Sequence, residues 1–259
     1  MLPGDDPVND RHPRAARARA FGDAAALYER GRPPYPPAAL DWLLPPTARR
    51  VLDLGAGTGK LTRRLVARGL DVVAVEPSPG MRGELARVLP GTRVLAGSAE
   101  QIPLGHGSVD AVLFAQAWHW VDPARAVPEV ARVLSPGGTL GLVWNQRDER
   151  VGWVAELGRI IGETRDQDIE PGLNTSDRPR VGPPFSPLER HDVPWIHHLS
   201  VAELLDMVAS RSYVILLPPD ERQVLLDRVR LLLETDPALA GRPEISLPYV
   251  TQCWRCHRP

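Results

Sequence analysis

Residues Val51-Leu52-Asp53-Leu54 form an apolar β-run that empties into Gly55-Ala56-Gly57-Thr58-Gly59, followed from Thr58 to Arg68 by a Leu-, Arg- and Ala-rich helical stretch. A strand that turns on glycines straight into a helix constrains the fold more than any other feature of the chain. Gly55 permits the sharp turn off the strand, and Gly57 lets the backbone approach a ligand with no Cβ in the way. Gly59 leaves room for the helix to pack against the sheet. Together they make a cradle at the end of a strand.

The next apolar run, Val72-Val73-Ala74-Val75, ends in Glu76, 17 residues after Gly59. A carboxylate at the carboxyl end of the neighbouring parallel strand can accept both hydroxyls of a ribose. Further runs near Arg93 to Leu95, Ala111 to Ala115 and Thr139 to Trp144 alternate with helical stretches, so the expected class is α/β, with a mostly parallel, doubly wound sheet. Leu188 to Leu199 and Glu244 to Cys256 complete seven strands. Ligands in such sheets bind beyond the carboxyl ends of the strands, where Gly55, Glu76, Ser98 and Gln116 all fall.

A dinucleotide-binding turn places a third glycine two residues later to seat a pyrophosphate, but Lys60-Leu61 stand there. The string Leu52 to Gly59 instead resembles the first motif of the class I S-adenosylmethionine (SAM) dependent methyltransferases, whose donor has no pyrophosphate. Other matches follow in family order. Glu76-Pro77-Ser78 with Met81 resembles the ribose and adenine strand end. Gly97-Ser98-Ala99-Glu100 with Ile102-Pro103-Leu104 resembles the adenine turn, with Ser98 where Asp is common. Ser108 to Val112 leads into Phe114-Ala115-Gln116-Ala117, and Val130 to Leu134 into Ser135-Pro136-Gly137-Gly138-Thr139.

Outside this core, Phe21-Gly22-Asp23, Tyr28, Arg32-Pro33-Pro34-Tyr35-Pro36, Gln116-Ala117-Trp118-His119-Trp120 and Trp144 to Asp148 are similar to a small-molecule branch, the trans-aconitate methyltransferases. The resemblance implies SAM as cofactor, S-adenosylhomocysteine as its product and a small-molecule methyl acceptor as partner. For the cofactor it implies Tyr28, Arg32, Asp53, Gly55, Ala56, Gly57, Thr58, Gly59, Glu76, Pro77, Met81, Ser98, Ala99, Glu100, Ala115 and Gln116. In that reading Asp53 organises the loop and the donor's amino-acid end.

Methyl transfer from a sulfonium is an in-line displacement that needs geometry, with no metal and no covalent intermediate. A carboxylate acceptor needs no base, whereas a hydroxyl, amine or carbon acid does. His119 follows directly from the fourth strand, and an imidazole suits general base work, so it is the candidate base, with a positioning role as the alternative. Tyr35, Trp118, Trp120, Trp144, Asn145, Arg147 and Tyr213 are the candidates for the acceptor pocket. Trp118 and Trp120 flank His119 on the opposite side if that loop stays extended.

The 259 residues suit one α/β domain over 21–259, with a disordered tail at 1–20. Residues 21–48 are expected as a helical lid, 49–150 as the cofactor core, 151–243 as helices, a long loop and a lid insertion, and 244–259 as the terminal strand. The proline-rich stretch from Glu170 to Pro187 is too polar and broken to pack. Ser200, with Glu203 three residues on, predicts a capped helix to Ser210, and Pro219 to Glu234 an amphipathic one.

A formal net charge of -1 gives no basic field for nucleic acid, and no run is long and apolar enough to span a bilayer, so a cytoplasmic protein is the expectation. Cys253 and Cys256 spell a haem-attachment pattern with His257. On a strand, however, residues three apart point to opposite faces, so packing is the expected role. Two other functions stand beside methyl transfer: a SAM-binding protein of this fold that does not methylate, and a nicotinamide oxidoreductase. Oligomeric state is open.

Overall fold

The computed structural model describes residues 32–162 and 179–259, apart from the side chains of residues 212 and 213. The expected tail, the helix expected from Phe21, Tyr28 and the first half of the proline-rich loop lie outside these residues. Seven strands form one sheet in the order β3-β2-β1-β4-β5-β7-β6. They are β1 (Arg50–Leu54), β2 (Asp71–Val75), β3 (Arg93–Leu95), β4 (Val109–Ala115), β5 (Leu134–Arg147), β6 (Glu189–Ser200) and β7 (Glu244–His257). Pairing is parallel from β3 through β5, and β7 runs antiparallel to both of its neighbours, β5 and β6. The chain order reverses between β1 and β4, which opens a crevice at their carboxyl ends.

β1 and β2 are buried on both faces after their first residue, which is why they read as unbroken apolar runs. One face is covered by α1 (Pro37–Leu43), α2 (Lys60–Val66) and α3 (Pro79–Val88), with Leu40, Leu43, Leu61 and Leu65 set against Val51, Leu113 and Val143. On the same face, α5 (Gly152–Gly162), α6 (Val201–Ala209) and α8 (Pro219–Thr235) pack Leu157, Leu204 and Val229 against Ile245, Leu247 and Tyr249 of β7. The short α7 (Ser212–Ile215) links the last two. On the opposite face, α4 (Pro123–Val133) lays Ala126, Val127, Val130 and Val133 over Phe114, Leu140 and Leu142.

Most sequence expectations hold at this level. The Ser200 hydroxyl accepts from the Glu203 amide while the Glu203 carboxylate accepts from the Ser200 amide, so the capping box is complete. Cys253 faces the α1/α2 core and Cys256 the α4 core, both as free buried thiols pushed up to about 12 by burial. Two points differ. The end of the proline-rich loop does pack, since Phe185 is buried against the α4 core. Gly59 also serves a different neighbour from the one expected: a Cβ there would sit 3.0 Å from Leu85 and 3.1 Å from Leu89, so it admits α3 and its following turn rather than the sheet.

Candidate active site

The glycine loop is fastened to the end of β2. The Gly55 and Ala56 amides both donate to the Val75 carbonyl, at 2.8 and 3.1 Å, and the Gly57 amide donates to Glu76 Oε2 at 2.9 Å. Glu76 Oε1 accepts from the Ser78 amide at 2.8 Å, and Arg82 holds the Glu76 and Pro77 carbonyls. Glu76 is 8 % exposed. Burial pushes its carboxyl above the usual range, opposed by the two amide hydrogen bonds. Each carboxylate oxygen has a second lone pair, so both can accept from a ligand as well.

Gly55 and Gly57 differ in what they leave room for. A Cβ at Gly55 would lie 2.7 Å from the Ala117 Cβ, so that glycine seats the loop after β4. A Cβ at Gly57 would meet nothing within 4 Å, so this residue borders open space beside Glu76. Ala56 and Thr58 are buried, which leaves Gly57 as the approachable backbone of the turn.

Asp53 sits at 0 % exposure in β1. Thr62 of α2 donates its hydroxyl to Asp53 Oδ2 at 2.6 Å, while Oδ1 is buried with no hydrogen-bond partner among the described residues. Burial pushes the Asp53 carboxyl up to about 7. The Thr62 hydrogen bonds offset part of that shift, and the nearby Glu76 carboxylate adds to it. An enclosed carboxylate with lone pairs to spare, beside a glycine that leaves open space at the switch point of the sheet, fits a ligand that brings ribose hydroxyls. Sequence reading missed Thr62; its signal is a hydroxyl in the helix directly after the motif acid.

Beyond β3, the Ser98 and Gln101 backbones pair with each other, and Ala99 is buried under the turn. Met81 is buried in the first turn of α3, while Pro77 is exposed. Glu100 makes a protein contact of its own, accepting the Asp122 amide at 2.9 Å. Ala115 and Gln116 are half-buried at the end of β4. Gln116 takes a left-handed backbone (φ 58) and donates its side-chain amide to the Asn145 carbonyl at 3.1 Å.

The reversal at Gln116 redirects the chain beyond β4. The Trp118–Trp120 segment is a 3-10 turn, so the condition for Trp118 and Trp120 to flank His119 on the opposite side, an extended loop, is not met. Trp118 is completely buried, edge-on to Phe114 at 4.9 Å, as core rather than pocket wall. Trp120 is exposed, with its ring tilted against His119. Trp144 is buried in the same core and donates its indole N–H to His119 Nδ1 at 3.4 Å. An indole nitrogen can only donate, so Nδ1 is the acceptor in this contact.

Asn145 is buried at the end of β5. Its amide donates to the Pro34 carbonyl at 3.0 Å, and its Oδ1 accepts from Thr251 at 2.6 Å. Thr251 in turn accepts the Trp195 indole N–H at 2.8 Å. Asn145 is therefore a tie joining β5, β7, β6 and the segment before α1. Arg32 is half-buried at the start of that segment, and Tyr35 is buried in the α1/α2 core. Arg147 ends β5 largely covered, 3.6 Å from Glu149. Tyr213 lies in α7, and its side chain is among those not described. The aromatic cluster at the ligand end, Trp195 stacked on Tyr249 at 5.3 Å with His197 against both, was not singled out from sequence, because only the β6–β7 register brings it together.

Residues 52–142 match the family model described as a methyltransferase domain. An uncharacterised methyltransferase of Mycobacterium tuberculosis is 62 % identical over 236 residues, covering 91 % of this chain and 94 % of the relative. The demethylmenaquinone methyltransferase of Beutenbergia cavernae is 42 % identical over 104 residues, covering 40 % of this chain and 43 % of that one. A structure described as a type II methyltransferase from Anaeromyxobacter dehalogenans shares the fold, with a TM-score of 0.55 at 24 % identity, covering 88 % of this chain and 97 % of that chain. None of the described helices is long and apolar enough to cross a membrane. With that identity extending over nearly the whole of both chains, on a seven-stranded sheet whose glycine turn and strand-end acid suit an adenosyl donor, the chain belongs to the class I methyltransferases and takes its methyl group from S-adenosylmethionine.

Proposed function

We propose that this enzyme methylates a small-molecule acceptor, the donor lying across the carboxyl ends of β1 to β4 and the acceptor over β4 and β5. The observation that carries the donor half is the Glu76 carboxylate, enclosed at the end of β2 and hydrogen-bonded to the amide of Gly57, a loop glycine beside which an added Cβ would meet only open space. Glu76 holds the ribose, Gly57 borders it, and the Ser98–Glu100 turn with Met81 bounds the adenine. Asp53, buried behind the loop, organises it beneath the donor's amino-acid end, and Arg32 pairs with the carboxylate of that end. SAM, when bound, supplies an electrophilic methyl group on a sulfonium.

The protein's own task is then to orient the acceptor and exclude water. Because Nδ1 of His119 accepts the Trp144 indole, the neutral ring presents an N–H donor, which suits holding an acceptor oxygen better than removing a proton. Arg147 and the Trp195–His197–Tyr249 cluster border the same end of the sheet, and α5 to α8 with the segment before α1 form the cover. A formal charge of -1 and a relative named for a quinone acceptor support a small molecule over a nucleic acid. A cytoplasmic location fits this reading. The test is S-adenosylhomocysteine production over a panel of small acids, phenols and quinones beside protein and RNA substrates. Turnover with a member of the small-molecule panel is expected; turnover confined to the macromolecules would overturn the proposal.

A further inference from the structure

α4 carries a clamp that acts on a single turn of backbone. Glu129 accepts the Ile102 amide on Oε2 at 3.0 Å, and Arg132 donates to the Leu104 carbonyl at 2.7 Å and to the Ile102 carbonyl at 2.9 Å. The two side chains are locked to each other by a two-pronged ion pair, both contacts at 2.7 Å. At the other end of the same helix, Glu100 takes the amide of the N-cap residue Asp122. The Arg132 carbonyl also accepts the Gly107 amide. The segment from Ser98 to Gly107 is thus stapled to α4 at both ends of the helix, while its own internal pairing is limited to the long Ser98–Gln101 contacts of 3.3 and 3.4 Å and one Leu104–Ile102 bond.

We infer that Glu129 and Arg132 are positioning residues for the adenosine half of the donor, fixing the Ser98–Leu104 turn through its backbone without touching the ligand. The inference rests on the reading of that turn as the adenine boundary. A guanidinium fork matches two carbonyls and a carboxylate in one plane, a geometry that an ammonium cannot reproduce.

The experiment is calorimetric titration of S-adenosylhomocysteine and of 5′-methylthioadenosine, which lacks the amino-acid end, into wild type, Arg132→Lys, Glu129→Gln and Gly97→Ala. Gly97→Ala perturbs the turn directly, because its Cβ would lie 2.7 Å from Pro103. Arg132→Lys is expected to weaken both ligands by the same factor, on the order of tenfold, and Glu129→Gln by less, with the KM for the acceptor unchanged. If Arg132→Lys does not fold, Glu129→Gln carries the test, since Gln keeps an acceptor for Ile102 but no charge for Arg132. Full affinity for both ligands in the clamp variants, with loss in Gly97→Ala, overturns the inference and leaves the adenine reading standing. Full affinity in Gly97→Ala as well overturns both. A loss confined to S-adenosylhomocysteine overturns the clamp's assignment to the adenosine half.

Discussion

Gly57 and Glu76 are joined across 2.9 Å, amide to carboxylate, so the loop after the first strand and the acid ending the second form one unit. A ligand that engages the acid therefore meets a loop already in place. The organisation that favours a bound adenosyl group is present in the fold before the group arrives.

Replacing Asp53 tests the other pole. In the unfolded chain this carboxyl titrates near 3.8, and in the fold near 7. Between those values the folded state holds the extra proton, so Asp53 makes stability fall as pH rises through the window, with its full cost present above about 7. Glu76, also shifted upward, acts in the same direction, while His197, shifted downward by burial, acts in the opposite one. The difference between wild type and Asp53→Asn isolates the Asp53 contribution. Thermal unfolding of the free enzyme from pH 4.5 to 8 should show wild type losing Tm relative to Asp53→Asn as pH increases. Parallel curves would contradict the assignment.

His119 is read as a donor held by Trp144. His119→Gln should raise the acceptor KM and lower kcat by less than about tenfold, because removing a true general base costs roughly 10²–10⁴. The pH dependence of kcat should keep its wild-type shape in the variant. Loss of an acid limb seen in wild type, with a collapse of kcat, would restore His119 as the base.

The tie through Asn145 predicts a stability effect far from the chemistry. Thr251→Val leaves the Asn145 Oδ1 and the Trp195 N–H without their partner, and each is at least part-buried. The loss should be about 1–3 kcal/mol in urea unfolding, with an unchanged m-value. An unaltered midpoint would show that the chain of hydrogen bonds carries no net weight.

How much of the molecule was legible in the sequence depends on how local each signal is. Val51 to Gly59 and Val72 to Glu76 are short runs whose burial and turning are settled by their own residues, so β1, β2 and the acid at their edge could be read directly. The Ser200–Glu203 capping box, confined to four residues, was equally plain. The shape after β4 was not. A left-handed Gln116 is uncommon for a residue with a side chain, and the chain beyond it buries Trp118 in the core, as an extended loop would not. Asn145 and Thr251 are 106 residues apart and meet only through the antiparallel β5–β7 register, and the Trp195–Tyr249 stack depends on β6–β7 in the same way. Thr62 and the Glu129–Arg132 pair fix backbone and acid from helices, a role that spacing along one helix does not reveal.

The most direct measurement is calorimetric titration of S-adenosylhomocysteine into wild type and Glu76→Ala, with folding of both checked by circular dichroism. Wild type should bind at one site per chain, and the variant should lose about 1–3 kcal/mol of binding free energy through the missing charged hydrogen-bond acceptor. Absence of binding to folded wild type, or equal affinity in the two proteins, would contradict the account.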